Sequence, residues 1–222
     1  MNGMSLRSQI AIIALLFSAA LVASAQKAEI VVPREYRTPV LTVSAELQSI
    51  VAAAVAKVIN DGRKAPVKSS EIAVTVIDLS DAAQLKWANY RGEERIYPAS
   101  VVKMFYMAAL ERQLEDKKVV MTIDLERGLK DMIVDSSNEA TQYILDVLTN
   151  TSSGAELPQK QFDVWQHKRN RVNRWLASMG YKNVNANQKT FCEDAYGIEQ
   201  QSRGYKGQNR NMLTTNATAR ML

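Results

Sequence analysis

Hydrophobic residues recur at two different periods along this chain, and the order of the two periods restricts the folds open to it. Helical spacing of apolar residues runs from a capping Ser44 to Gly62. The alternating segments 71–79 and 84–91 then predict two strands joined by a short Asp-Ala-Ala turn. A helix followed by an antiparallel hairpin predicts an α/β (α+β) fold with an antiparallel sheet flanked by helices.

Beyond Pro98 the pattern is mainly helical. Helices are predicted at about 100–114, 122–135, 138–149 and 162–179, the last one ended by Gly180. Residues 181–213 are rich in Asn, Gln, Gly and Lys without an apolar period, which predicts a long functional or mobile loop. Thr214 or Thr215 then caps a helix that is still running at Leu222. We therefore expect an all-helical lobe beside the sheet.

The first 25 residues have the layout of a secretory signal peptide. Arg7 precedes an apolar stretch from Ile10 to Val22, and Ala-Ser-Ala follows it. The stretch is 13 residues long (10 to 22), below the roughly 18 that a membrane-spanning helix needs. We expect cleavage after residue 25, an extended leader at 26–43, and one domain at 44–222 in a secreted or periplasmic protein without a stable membrane span. An uncleaved anchor is the alternative.

The chain has one cysteine, Cys192, and one histidine, His167. An internal disulfide is therefore impossible. A single histidine also argues against a histidine-ligated metal site and against a Ser-His triad. The fold must be stabilised by core packing, and we expect no cofactor, no metal and a monomer. A basic run at 167–174 is interrupted by apolar residues, which favours a solvated helix face and argues against nucleic-acid binding.

The segment from Tyr97 to Lys103 places a serine, Ser100, at the start of a predicted helix, with Lys103 three residues later. Both sides of this helix carry apolar residues, so Lys103 is expected to be buried. Burial of an ammonium lowers its pKa towards the range in which it can accept a proton from a serine. The alternative is an N-terminal cap with a snorkelling lysine, and Ser24 with Lys27 shows that the spacing alone is not specific.

A second polar element, Asp135-Ser-Ser-Asn138, lies between two predicted helices. There Ser136 and Asn138 can point into a cleft. Simple helix capping explains the same residue types, so both interpretations remain open.

The sequences ASVVK at 99–103 and MIVDSSNEAT at 132–141 resemble the first two motifs of the class A β-lactamases and penicillin-binding proteins. The order of elements over 44–222 is also similar. The resemblance implies a β-lactamase/transpeptidase-like fold and a serine hydrolase whose substrate is a β-lactam or a peptidoglycan stem peptide.

The resemblance also implies a role for each matching residue. Ser100 would be acylated, with its backbone N–H as half of an oxyanion hole. Lys103 would accept the serine proton, Ser136 would relay protons and Asn138 would bind the substrate amide. The water-activating glutamate of the family lies in the segment 181–213, where we prefer Glu193 to Glu199.

The chain departs from the family at three points. Ser137 stands where the second motif commonly has Asp, and the connection between the two motifs is shorter than usual. The sequence also contains no strand of the Lys-Thr-Gly type, and we expect one within about 50 residues after Leu222 in a longer coding sequence. A chain truly ending at Leu222 would be inactive or poorly folded.

Three functions remain open from the sequence. The first is β-lactam hydrolysis with a role in antibiotic resistance, and the second is a cell-wall D-Ala-D-Ala carboxypeptidase or transpeptidase that uses the same serine. The third is a non-catalytic envelope binding protein on the same scaffold. The glutamate that serves deacylation discriminates the first two.

Overall fold

The computed structural model describes residues 29–62 and 66–222. The predicted signal peptide at 1–25 and the predicted cleavage site lie outside the described residues. Within the described part, the chain is a mixed α and β protein with a small sheet and eight α-helices. None of those helices is both long enough and apolar enough to cross a membrane.

The sheet has three strands in the order β1-β3-β2, where β1 is Thr42–Val43, β2 is Val74–Asp78 and β3 is Lys86–Tyr90. Strands β2 and β3 form the predicted antiparallel hairpin, with Val76 opposite Ala88. The expectation of a wholly antiparallel sheet is wrong, because β1 pairs with β3 in parallel. A strand of two residues is too short for its period to be read from the sequence, so this segment was assigned to the extended leader.

Helix α1, Ala45–Ile59, covers one face of the sheet. The Ser44 hydroxyl accepts a hydrogen bond from the Leu47 N–H at 3.3 Å, which confirms the predicted cap. Val51 and Val55 are buried against Ala88 of β3. This small core holds the hairpin in place.

The remaining helices form a larger core of their own. They are α2 (Val102–Glu115), α3 (Ile123–Val134), α4 (Asn138–Thr149), α5 (Gln159–Arg169), α6 (Arg171–Ser178), α7 (Gly197–Arg203) and α8 (Thr215–Met221). Side chains of α2, α3, α4 and α6 meet in this core, with Phe105, Met132, Leu145 and Leu176 almost completely buried. The predicted helical lobe is therefore present.

One predicted helix, 162–179, is two helices in the structure. The first begins after Pro158, and the two are separated at Asn170. The Asn170 side-chain oxygen accepts hydrogen bonds from the amides of Asn173 and Asn187. The break therefore attaches the helical lobe to the segment that follows it.

The segment 181–213 is buried at residues 186–190 and contains α7, so its assignment as an irregular loop is wrong for residues 197–203. Its amide side chains supply the packing that apolar residues supply elsewhere. The Asn211 side-chain oxygen accepts from the backbone N–H groups of Asn187 and Gln188, and all three residues are at least 95% buried. Because these carboxamides satisfy one another, they can be buried without an apolar pattern.

Candidate active site

Lys103 lies in the first turn of α2 and is 3% exposed. Its Nζ contacts the Ser136 carbonyl oxygen, and it lies 3.0 Å from Ser136 Oγ and 3.1 Å from Asn138 Oδ1. The two sequence motifs, 33 residues apart along the chain, therefore meet at one amine. A snorkelling lysine would have reached solvent, so that alternative does not describe Lys103.

The junction between α3 and α4 explains how Ser136 reaches Lys103. Ser136 has a left-handed backbone conformation, with φ at +53°, just after α3 ends. Ser137 is the residue that caps α4, because its Oγ accepts a hydrogen bond from the Ala140 N–H at 3.1 Å. Capping thus accounts for Ser137, whereas Ser136 and Asn138 are turned towards Lys103.

Ser100 lies in a short 3₁₀ turn, Ala99–Val101, that leads into α2. It is exposed, and its hydroxyl has no hydrogen-bond partner among the described residues, so no hydrogen bond joins the predicted nucleophile to Lys103 or to Ser136. The residue before it, Ala99, has φ at +45°, a conformation that costs a residue with a Cβ about 1–2 kcal/mol. Left-handed backbone at Ala99 and Ser136 is stored strain of the kind that is common at functional sites.

The polar contacts around Lys103 suit either protonation state of its amine. The Ser136 carbonyl and Asn138 Oδ1 can only accept hydrogen bonds, so two N–H groups of Lys103 are committed to them. The Ser136 hydroxyl can accept from a third N–H of the ammonium, or it can donate to the lone pair of the neutral amine. Ser136 is therefore able to pass a proton to or from Lys103.

Burial lowers the pKa of Lys103 below its ordinary value of 10.5. The negative charge of the nearby Glu139 carboxylate raises the pKa by a smaller amount. The balance favours the neutral amine more than in water, which is the form that can take a proton from a hydroxyl.

An apolar groove is lined by neighbours of Ser100 in sequence, although Ser100 itself is not one of its walls. Its volume is about 520 Å³, and its walls include Thr75 at the edge of the sheet together with Tyr97, Pro98 and Val101. The size is within the range of small-molecule sites. The groove offers space for the apolar part of a ligand beside the 3₁₀ turn that contains Ser100.

The two candidate glutamates lie in different surroundings. Glu193 is exposed and follows Cys192, whose Sγ lies 3.4 Å from the Asn138 side-chain nitrogen. Glu199 is 1% exposed, and it is bound to Arg169 at 2.8 Å and to Ser153 at 2.9 Å. Glu199 is thus engaged in a buried ion pair, whereas Glu193 is exposed and adjoins Cys192, the residue that contacts Asn138.

Cys192 and Gln142 also belong to the surroundings of the site, and the sequence analysis gave them no role there. Gln142 follows Asn138 by four residues, and its amide donates to the Thr190 carbonyl at 3.1 Å. The four-residue spacing predicts that Asn138 and Gln142 share a helix face. Spacing does not predict that the segment containing Thr190 packs against that face. Within residues 29–62 and 66–222, no group of three or more Asp, Glu, His or Cys side chains is arranged to hold a metal ion.

A scan against protein-family models, a search of curated proteins and a search of solved structures gave no match to this chain. The resemblance to the class A β-lactamases and penicillin-binding proteins therefore rests on the two motifs and on the order of elements.

Proposed function

We propose that the chain is an exported serine hydrolase that works through an acyl-enzyme on Ser100, and that it opens the ring of a β-lactam. One observation carries the proposal: the buried Lys103 amine contacts both Ser136 and Asn138 of the second motif. Nothing in simple helix capping requires a lysine to be buried among these side chains. The arrangement supports an acyl-transfer site because serine is a poor nucleophile until a base removes its proton, and burial lowers the pKa of the Lys103 amine towards that role.

In the proposed reaction the Ser100 oxygen attacks the lactam carbonyl carbon, and its proton passes to Lys103 through the Ser136 hydroxyl. The new C–O bond forms first and gives a tetrahedral intermediate; the lactam C–N bond then breaks, and the proton returns to the leaving nitrogen. Asn138 binds the amide of the substrate side chain, and the Ser100 N–H stabilises the negative oxygen of the tetrahedral intermediate. Water then attacks the ester carbonyl while Glu193 takes its proton, the ester C–O bond to Ser100 breaks, and the Ser100 oxygen recovers a proton.

A second candidate, a D-Ala-D-Ala carboxypeptidase or transpeptidase, is favoured by the surroundings of Glu193. Among the described residues, none is hydrogen-bonded or ion-paired to the Glu193 side chain. A carboxylate that is not fixed beside the ester gives slow deacylation, as expected of an enzyme that forms a long-lived penicillin adduct. Ser100, Lys103, Ser136 and Asn138 have the same roles in this candidate.

The test combines turnover of a chromogenic cephalosporin with labelling by a fluorescent penicillin. Fast turnover supports the β-lactamase, and stable labelling without turnover supports the peptidase. Ser100→Ala is expected to abolish both signals. Ser70→Ala is the matched control, because Ser70 is also an exposed serine in a 3₁₀ turn and belongs to neither motif.

Retention of full activity and labelling by Ser100→Ala would contradict the proposal. A parent protein that is folded by circular dichroism and neither turns over nor becomes labelled would contradict it as well. The non-catalytic envelope binding protein would then be the remaining function, with ligand binding that does not depend on the Ser100 hydroxyl.

A further inference from the structure

Three polar side chains on one face of α4 contact the same stretch of the segment that follows α6. Asn138 donates from Nδ2 to Cys192 Sγ at 3.4 Å, and Gln142 donates from Nε2 to the Thr190 carbonyl at 3.1 Å. Asp146 accepts from Lys189 Nζ at 2.5 Å. Positions 138, 142 and 146 are four apart, so their side chains lie one above the other on the helix.

The spacing of these contacts shows that 189–192 runs along the helix in the opposite direction. Four residues of α-helix rise about 6 Å, and two residues of extended chain span about 6.6 Å. The step from Asn138 to Gln142 therefore matches the step from Cys192 back to Thr190. Lys189 is only one residue before Thr190, and its long side chain spans the remaining helical turn from Gln142 to Asp146.

Burial changes sharply along this segment. Lys189 and Thr190 are 5% and 8% exposed, whereas Cys192 and Glu193 are exposed. Lys189 is also 3.5 Å from the buried Glu199. The segment is thus buried and ion-paired at Lys189, and it is exposed to solvent at Cys192, where it contacts Asn138.

The contact at Cys192 has a direct consequence for Lys103. Asn138 presents Nδ2 to Cys192 and Oδ1 to Lys103, so the sulfur contact and the amine contact require the same orientation of one amide. Without the sulfur, the amide can turn its NH₂ group towards Lys103. The Lys103 ammonium would then lose a hydrogen-bond acceptor.

We infer that the segment 189–192 is a positioning element of the site, held on α4 by Gln142 and acting through Cys192, which keeps Asn138 Oδ1 on Lys103. This inference rests on the proposed function of Ser100 and Lys103. It adds Gln142 and Cys192 as positioning residues.

Limited trypsin digestion tests the attachment without any substrate. Trypsin must cleave after Lys189, whose side chain is 3% exposed, so cleavage requires the segment to open. Gln142→Met removes the donor to Thr190 and is expected to increase cleavage at this bond roughly fivefold, the factor that corresponds to one ordinary hydrogen bond. Gln161→Met is the matched control on an exposed part of α5, and it should leave the rate unchanged.

The orientation of Asn138 is tested through Lys103 in the same protein. We expect Cys192→Ala to lower the pKa of Lys103 further, in an NMR titration with the resonance assigned by Lys103→Met, because the ammonium loses the Asn138 acceptor. Cys192→Ser should bring the pKa back towards the parent value, because the serine oxygen can accept the same N–H. If the effect came only from the charge of a thiolate, serine would not restore it.

The pH profile of labelling by fluorescent penicillin gives the functional readout. Labelling increases with pH, and the midpoint of this increase should lie at a lower pH in Cys192→Ala and Gln142→Met than in the parent. The Gln161→Met profile should coincide with that of the parent. A general loss of stability lowers the amount of active protein without moving this pH.

Two results overturn the inference: trypsin cleaves Gln142→Met no faster than Gln161→Met, or Cys192→Ala leaves the Lys103 titration unchanged. Neither measurement needs an active enzyme. A parent protein that is never labelled would therefore refute the proposed function, while digestion and titration still decide whether 189–192 positions Asn138.

Discussion

Replacing Glu199 by glutamine separates a structural glutamate from a catalytic one. Glu199 belongs to a buried cluster in which two cations, Arg169 and Lys189, face two carboxylates, Glu199 and Asp146. Arg169 is 0% exposed and Glu199 is 1% exposed, whereas Asp146 is 26% exposed. Glu199→Gln keeps the shape of the side chain and leaves two buried cations with one carboxylate.

The size of the effect follows from this charge count. Removing one partner of a buried ion pair costs about 3–5 kcal/mol, because the other charge stays buried without compensation. Asp146 remains bound to both cations, at 3.1 Å from Arg169 and 2.5 Å from Lys189, so the low end of the range applies. We expect the free energy of unfolding to fall by about 3 kcal/mol, and the melting temperature by about 6–12 °C for a chain of this size.

Urea denaturation and thermal melting measure this loss, and Glu193→Gln is the control. Glu193 is exposed, so its replacement should change stability by less than about 0.5 kcal/mol. In the proposed function, Glu193→Gln instead slows hydrolysis of the penicillin adduct. The reasoning is refuted if Glu199→Gln is as stable as Glu193→Gln, or if it abolishes hydrolysis of the adduct while its stability is unchanged.

Three further outcomes are expected. Gly197→Ala should lower the free energy of unfolding by about 2–3 kcal/mol in urea, because φ is +57° and the new Cβ would lie 2.0 Å from the Gly154 carbonyl oxygen, whereas Gly154→Ala meets nothing within 4 Å and should be nearly neutral. Ala99→Gly should raise the free energy of unfolding by about 1 kcal/mol in the same assay, and an unchanged urea midpoint would show that φ of +45° is not strained. The rate of penicillin labelling should rise as pH increases through the pKa of Lys103, which burial places below 10.5, and a profile independent of pH would exclude the lysine as the base.

Local signals in the sequence were sufficient for most of the secondary structure. The cap at Ser44, the hairpin and the bounds 138–149 of α4 were predicted from residue type and period. Each of these depends on residues within a few positions of one another, which is the range over which capping and periodicity act. The break at Asn170 and the helix at 197–203 escaped prediction, because a partner elsewhere in the chain holds each of them: Asn187 contacts Asn170, and the Gly154 carbonyl accepts from the Ile198 N–H at 3.0 Å.

The candidate site was also predicted from the sequence only in part. The resemblance of two short motifs to those of the class A β-lactamases and penicillin-binding proteins predicted Ser100, Lys103, Ser136 and Asn138 as site residues. Either Ser136 or Ser137 has the residue type of a helix cap. In the structure Ser137 is the residue that caps α4.

The sequence alone determined the helices, the hairpin and the two motifs, because these depend on neighbours along the chain. The apolar neighbours of Lys103 predicted its burial, but only the tertiary structure decided that its partner is Ser136, 33 residues away, and that Asn138 faces Cys192, 54 residues away. Burial, charge compensation and the orientation of an amide depend on which surfaces meet. Those surfaces are chosen when the whole core packs, so residue order near any one motif does not encode them.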